Sequence, residues 1–203
     1  HTLGFKDNHS LTRSTSPQAN PTTLLLSGSS QHDLFKNSFK SIPIYIYGTW
    51  KRFENSDENL ISKKKNVVLL PQGKYSESRD YIILAVNLSI NHPNLNIVIR
   101  THPLLSHSTL LSSIPANLYR EFAKTNLRWE TCALIESLKE AQFAIYSGST
   151  SILEALQLRC IPIYFTGLKS PSYINPLWSL SSSHLTAKSS YEISEILVSF
   201  YGK

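Results

Sequence analysis

The stretch FAIYSGSTSILEALQLRCIPIYF, residues 143–165, has the order strand, helix, strand. FAIYSG (143–148) is an apolar run that ends at a glycine, which is typical of a strand. TSILEALQLRC (150–160) has the apolar spacing of a helix, and IPIYF (161–165) is a second β-branched and aromatic run. A helix between two apolar strands favours a parallel sheet.

The same alternation continues on the N-terminal side. NVVLLPQG (66–73) and NLNIVIRTHP (94–103) predict buried strands, and SESRDYIILAVNLSINH (76–92) predicts the helix between them. Further helices are predicted over 112–125, over 131–142 with Thr131 as N-cap, and over 189–202, and a short strand over 127–130. The predicted fold is α/β: a Rossmann-like parallel sheet with helices on both faces and right-handed crossovers.

The first part of the chain has a different character. Residues 1–20 are rich in Ser, Thr, Asn and Pro and predict a loosely ordered segment, whereas IPIYIYG (42–48) predicts a strand. FENSDENLISKKKN (53–66) is charged and polar and is interpreted as a linker. We therefore expect an N-terminal segment and linker over 1–60 and a Rossmann-like domain over 61–203.

The composition limits the partners of the 203-residue chain. Its net charge of +6 favours anionic partners such as nucleotides, phosphorylated lipids or acidic glycans. The basic residues are scattered, and the one run, Lys63–Lys65, is interpreted as solvated linker, so nucleic acid is not an expected partner. No apolar run approaches the ~20 residues of a membrane span. A cytoplasmic protein is expected, with peripheral inner-membrane association allowed by its charge. Cys132 and Cys160 are predicted to be buried, reduced thiols.

Three polar loops follow predicted strands. They are Gln72–Glu77, Arg100–Pro103 and Ser147–Ser151. Ligands of open parallel sheets lie at the carboxyl ends of the strands, near the point where the strand order reverses. We expect the three loops to share one edge of the sheet and to hold a nucleotide phosphate, with Gln72 and Gly73 contributing from the first loop.

The third loop is the richest in possible phosphate donors. Its candidates are Ser147, Gly148, Ser149, Thr150 and Ser151. Small residues let backbone N–H groups approach an anion, and the hydroxyls add donors. The loop matches neither the nucleoside-triphosphate phosphate-loop pattern nor the dinucleotide fingerprint. Helix capping is the alternative, because Ser151 and Glu154 have capping-box spacing; Glu154 either reaches a ribose or closes that box.

His102 is the sharper candidate in the second loop. Of two His-Pro pairs, His92-Pro93 falls between a helix and a strand and is interpreted as a turn at the opposite edge. His102-Pro103 directly follows a strand, where an imidazole can donate to a phosphate. Arg100 alternates with His102 on one face of the extended chain. Glu77 accepts from a sugar hydroxyl or caps the next helix, and both roles stay open.

Several other site chemistries find no support in the sequence. No Gly-x-Ser-x-Gly elbow is present, neither cysteine follows a strand, and no spacing typical of metal ligands occurs. We therefore expect neither a nucleophilic triad nor a metal, and no cofactor besides a nucleotide co-substrate.

Taken together, VVLLPQGKYSES, IVIRTHP and FAIYSGSTSILEALQLRCIPIYF resemble the C-terminal, donor-binding half of bacterial glycosyltransferases of the GT-B fold. The likeness covers about residues 66–203 and is greatest to sialyltransferases, polysialyltransferases and capsule Kdo transferases. Glycerophosphate-polymer transferases of teichoic acid synthesis are also similar. Arg159-Cys160 stands where the common segment has a glycine, and YGTWKRFE (47–54) looks like the segment that crosses between the two domains.

The resemblance implies a CMP-linked sugar donor and a surface-polysaccharide or glycolipid acceptor. It implies that His102 contacts the nucleotide phosphate, and His102 and Glu77 are our candidate catalytic residues. The family's acidic motif, which supplies the general base, is not found; the one acidic pair, Asp57-Glu58, lies in the linker. The isolated chain is therefore expected to turn over little donor, and a partner domain to supply the acceptor half.

If the resemblance holds, the reaction is an inverting displacement at the anomeric carbon. A carboxylate from the other half would deprotonate the acceptor, while His102 and loop 147–151 stabilise the departing phosphate. The alternatives are a non-catalytic nucleotide-sugar-binding module, a sugar-nucleotide epimerase-like enzyme and a glycerophosphotransferase-like enzyme.

Overall fold

The computed structural model describes residues 20–26, 28–29, 32–48, 66–168, 175–178, 180, 182 and 184–202. Its strands are β1 (Leu24–Leu26), β2 (Ile44–Ile46), β3 (Asn66–Leu70), β4 (Asn96–Ile99), β5 (Arg128–Trp129), β6 (Ala141–Tyr146), β7 (Ile161–Phe165) and β8 (Leu185–Ala187). Its helices are α1 (His32–Ser38), α2 (Tyr75–Asn91), α3 (His107–Ser112), α4 (Ala116–Phe122), α5 (Leu134–Lys139), α6 (Ile152–Gln157) and α7 (Ser190–Tyr201). The predicted α/β class is confirmed.

Six strands form one sheet in the order β5-β4-β3-β6-β7-β8, and all neighbouring pairs are parallel. The chain runs outward from β3 through β4 to β5, then returns to the other side of β3 and continues through β6, β7 and β8. This is the strand order of a Rossmann-like sheet, with its topological switch point between β3 and β6. The predicted Rossmann-like parallel sheet is confirmed.

Strand length tapers from the middle of the sheet to its edges. In sheet order the strands have 2, 4, 5, 6, 5 and 3 residues. All five residues of β3 are buried, because a central parallel strand is covered on both faces. The longest strands therefore flank the switch point.

The core has two layers, one on each face of the sheet. Successive side chains of a strand point to opposite faces, so Val67 and Leu69 of β3 join one cluster while Val68 and Leu70 join the other. The first cluster includes buried residues of α2 and α7, and the second includes buried residues of α5 and α6. Helices cover both faces, as predicted.

Several helix boundaries differ from the sequence predictions. The helix predicted over 112–125 is two helices, α3 and α4, with Pro115 at the N-cap of α4. A proline disfavours helical geometry in the residue before it, so the break falls at this point. The helix predicted over 131–142 is only α5, with Ala133 rather than Thr131 at its N-cap. Residues 141–142 belong to β6, because Ala141 pairs with Asn66 of β3.

The two cysteines lie in different environments. Cys160 is buried, and its thiol contacts the carbonyl oxygens of Leu138 and Ala141 at 3.4 Å each. Cys132 is exposed, so the prediction that it is buried was wrong. It precedes α5 rather than lying inside a helix, which is why helical periodicity gave the wrong environment.

The described N-terminal residues form a small two-stranded sheet with one helix. Strands β1 and β2 pair in parallel, and α1 connects them. Leu24, Leu26, Phe35 and Phe39 form its apolar cluster. The strand predicted over 42–48 is confirmed as β2. The loose segment predicted over 1–20 and the linker predicted over 53–66 lie outside the described residues, apart from Asn20 and Asn66.

Candidate functional site

A cleft of about 430 Å³ lies at the carboxyl ends of β3, β4 and β6. Its lining residues are Leu70, Pro71, Gln72, Gly73, Arg100, Thr101, His102, Pro103, Leu134, Gly148, Ser149, Thr150 and Ser151. The volume is within the range of about 300–1,000 Å³ usual for small-molecule sites. The switch point thus brings together residues of all three strand-end loops.

The loop after β3 is held by the first turn of α2. The Gln72 N–H donates to the Glu77 carboxylate over 3.4 Å, and the Ser78 hydroxyl donates to the Gln72 carbonyl over 3.2 Å. The Gln72 side-chain Nε2 is buried and has no hydrogen-bond partner within the described part of the chain. A buried amide donor without a partner is unfavourable, so the side chain would be stabilised by turning towards an acceptor on a ligand in the cleft.

Glu77 lies next to the cleft but does not line it. Its side chain is only 7% exposed. Burial raises its carboxyl pKa, and the Gln72 N–H and the Lys74 charge oppose that rise. Its position shows how it holds the loop; its role towards a substrate hydroxyl stays a prediction.

His102 is exposed and lines the cleft. The backbone N–H of Leu104 donates to its Nδ1 over 3.3 Å. A nitrogen that accepts carries no proton, so the neutral ring has its hydrogen on Nε2. Nε2 makes no hydrogen bond to any described residue and is left to donate to a ligand.

Arg100 lines the cleft, and its guanidinium is also hydrogen-bonded to protein atoms. Its guanidinium donates to the carbonyl of Cys132 and to the Ser137 hydroxyl at 2.8 Å, and it contacts the Cys132 sulfur at 3.3 Å. Ser137 in turn donates to Glu130. Arg100 therefore fixes the segment before α5 against β4 and supplies positive charge to the cleft wall.

Ser147 points away from the cleft. It is completely buried, and its hydroxyl donates to the Phe165 carbonyl over 2.8 Å. Because that hydroxyl has one hydrogen, the Tyr81 phenol must donate in the contact of 2.9 Å between their oxygens. Burial raises the Tyr81 pKa, so the phenol keeps its proton. Ser147 links β6, β7 and α2. It is not among the residues that line the cleft, and its contact with a nucleotide stays a prediction.

The rest of the third loop lines the cleft, as positions 148–151. The N–H groups of these four residues make no hydrogen bond with the described chain. The chain turns here through bonds from Ile152 N to the Ser149 carbonyl and from Leu153 N to the Thr150 carbonyl. The turn leaves a row of backbone donors and three hydroxyl side chains available to an acceptor.

The capping interpretation is only partly compatible with this turn. Ser151 has helical dihedral angles of −59° and −15°, and its side chain makes no capping hydrogen bond. The Ser151 half of the capping box is therefore absent. Glu154 is half-buried on α6 and does not line the cleft, so its contact with a ribose stays a prediction.

Three lining residues lie outside the three loops that the sequence analysis named. They are Leu70, Pro71 and Leu134. Leu134 comes from α5, and its spacing indicated only an apolar helix face. No local pattern reports that this leucine reaches the edge of the sheet, because its place depends on the packing of α5 against β6.

Two structural features are absent from the described residues. No group of three or more His, Cys, Asp or Glu side chains is placed to hold a metal ion. None of the helices in the described ranges has the length and apolar character needed to cross a membrane.

The sequence was also compared with known proteins. It matches no protein-family model, and no curated protein matches it.

Proposed function

We propose that this chain is the donor-binding part of a glycosyltransferase that uses a nucleotide-activated sugar. The observation that carries the proposal is the chemistry of the switch-point cleft. Its polar lining offers donors, and none of the described residues that line it is acidic. A site with many donors and no carboxylate is suited to an anion such as a nucleotide phosphate.

The phosphate would lie between the second and third loops. Nε2 of His102 and the unpaired N–H groups of residues 148–151 are the donors that would contact it. Arg100 adds positive charge from the cleft wall, and the Gln72 amide would donate to another acceptor on the nucleotide. The motif resemblance favours CMP as that nucleotide.

In this reaction the cleft would act on the leaving group. Cleavage of the bond between sugar and phosphate places negative charge on the nucleotide phosphate, and fixed donors stabilise that charge. The acceptor hydroxyl needs a base, and among the described residues no carboxylate lines the cleft to serve as one. We therefore assign the base to a partner domain, which would also bind the glycan or glycolipid acceptor at or near the inner membrane.

A non-catalytic nucleotide-sugar-binding module is the second candidate. The same absence of an acidic lining residue favours it, because such a module needs the donors and no base. The two candidates predict the same binding and differ in turnover.

Thermal unfolding with added nucleotides tests the binding. We expect CMP to raise the melting temperature more than UDP, CDP or GDP, and the rise at a given CMP concentration to be much smaller in His102→Ala. His92→Ala is the matched control, since it removes the histidine of the other His-Pro pair. If none of the four nucleotides raises the melting temperature, both candidates are ruled out.

Turnover separates the two candidates. The chain would be incubated with a CMP-sugar and a glycan acceptor, with and without a separately supplied acceptor domain of a similar transferase. Turnover that requires the added domain supports the transferase. Binding of CMP without turnover in either mixture supports the module.

A further inference from the structure

Gly73 is a glycine whose own backbone does not require glycine. Its φ is not positive; among the described glycines only Gly48, with a φ of +86°, lies in the region that favours glycine. An L-residue could therefore adopt the backbone conformation of Gly73. The missing side chain instead leaves space for a neighbouring group.

The His102 imidazole occupies that space. A Cβ placed on Gly73 would lie 3.2 Å from Cγ of His102 and 3.5 Å from its Cδ2 and Nδ1. The 3.2 Å separation is closer than normal van der Waals contact, since nonbonded carbons prefer about 3.5–4.0 Å. A methyl group at position 73 would fit only if the ring moved by a few tenths of an ångström.

The ring is thus fixed from two sides. Gly73 leaves room for its face, and the Leu104 N–H donates to its Nδ1. The first contact sets where the ring lies, and the second leaves the hydrogen on Nε2. Together they connect the loop after β3 with the loop after β4 across the floor of the cleft.

We propose that Gly73 is a positioning residue, which admits the His102 imidazole so that Nε2–H donates to the phosphate of the bound nucleotide. This rests on the proposed function, which supplies the nucleotide. Gly73 acts through His102 and has no side chain to contact the ligand itself.

A double-mutant cycle tests the proposal. Calorimetry would measure CMP binding to the wild type, Gly73→Ala, His102→Ala and the double variant. We expect Gly73→Ala to weaken binding about tenfold, the factor for 1.4 kcal/mol, and to have no effect when His102 is already alanine. Gly28→Ala is the matched control, because no atom of the described chain, its two chain neighbours aside, lies within 4 Å of a Cβ at Gly28. Wild-type affinity in Gly73→Ala, or equal weakening in both backgrounds, would overturn the proposal.

A second measurement needs no ligand and so separates this proposal from the proposed function. Nitrogen chemical shifts of the His102 ring report which nitrogen carries the proton. We expect a single Nε2–H form in the wild type and in Gly28→Ala, and a mixture of forms in Gly73→Ala. Unchanged shifts in Gly73→Ala contradict the positioning role, even if no nucleotide binds the wild type. If Gly73→Ala fails to fold, folding should return in the double variant, which lacks the ring; failure there too contradicts the proposal.

Discussion

The two His-Pro pairs share a dipeptide and differ in every other respect. His92 follows α2, is half-buried, and its Nε2 lies 2.9 Å from the Ser194 hydroxyl of α7. His102 follows β4, is exposed, and keeps Nε2 free of the described protein. A histidine at the amino edge of this sheet is used to pack helices, whereas one at the carboxyl edge is available to a ligand. The edge of the sheet, rather than the dipeptide, sets the role.

The largest expected effect is on ligand binding at the carboxyl edge. His102→Ala should weaken CMP binding about 10- to 100-fold, because a hydrogen bond to a charged group contributes about 1.5–3 kcal/mol. The ring is exposed, so the free energy of unfolding should change little. Calorimetry and urea unfolding measure the two quantities. A loss of stability with unchanged CMP affinity would show that His102 has a structural role, as His92 has.

Ser147 tests whether every polar residue at this edge serves the ligand. Ser147→Ala removes the acceptor of the buried Tyr81 phenol and one donor to the Phe165 carbonyl. We expect a loss of about 1–3 kcal/mol of unfolding free energy and less than about a twofold change in CMP affinity. Urea unfolding and calorimetry provide the test. An affinity loss as large as that of His102→Ala would show that Ser147 turns towards the ligand.

His92→Ala should have the opposite result from His102→Ala. Removing its bond to Ser194 should cost about 1 kcal/mol, or about 2–4 °C in melting temperature for a chain of this size. CMP affinity should stay that of the wild type. Ser194→Ala provides the matched control, because it removes the other half of the same contact.

The smallest effect concerns pH. Burial lowers the pKa of His92, so the folded protein takes up its proton less readily than the unfolded chain. The stability associated with neutral His92 is present above about pH 6.5 and is lost as the pH falls towards the lowered pKa. His92→Gln should therefore lose less stability than the wild type between pH 7 and pH 5. His184, whose pKa is also lowered by burial, acts equally in both proteins. The unfolding free energy of both proteins would be measured by urea unfolding at several pH values. An equal loss from pH 7 to pH 5 would contradict the assignment.

Much of the sheet could be predicted from the sequence. Buried parallel strands are continuous apolar runs, and β3, β4, β6 and β7 all have this pattern. Their alternation with helices also predicted that the three loops meet at one edge. The short strand β8 was not predicted, because its sequence, Leu-Thr-Ala, is not a continuous apolar run.

The details of the site were harder to predict, because they depend on contacts between distant residues. Ser147 is one residue away from the lining loop, and its inward direction depends on Tyr81 and Phe165. The burial of Glu77 depends on how α2 lies on the sheet. The place of Gly73 beside His102 depends on the pairing of β3 with β4. None of these contacts has a local sequence signal.

The taper of the sheet has a consequence for local opening. The edge strands β5 and β8 have two and three residues, whereas β3 and β6 in the middle have five and six. Short edge strands have few ladder bonds to break, so the sheet should fray from its edges inward. Amide hydrogens of β5 and β8 should exchange with solvent first and those of β3 and β6 last. The strands that carry the cleft would then stay paired while the edge strands open and close. The site would keep its shape during this local opening.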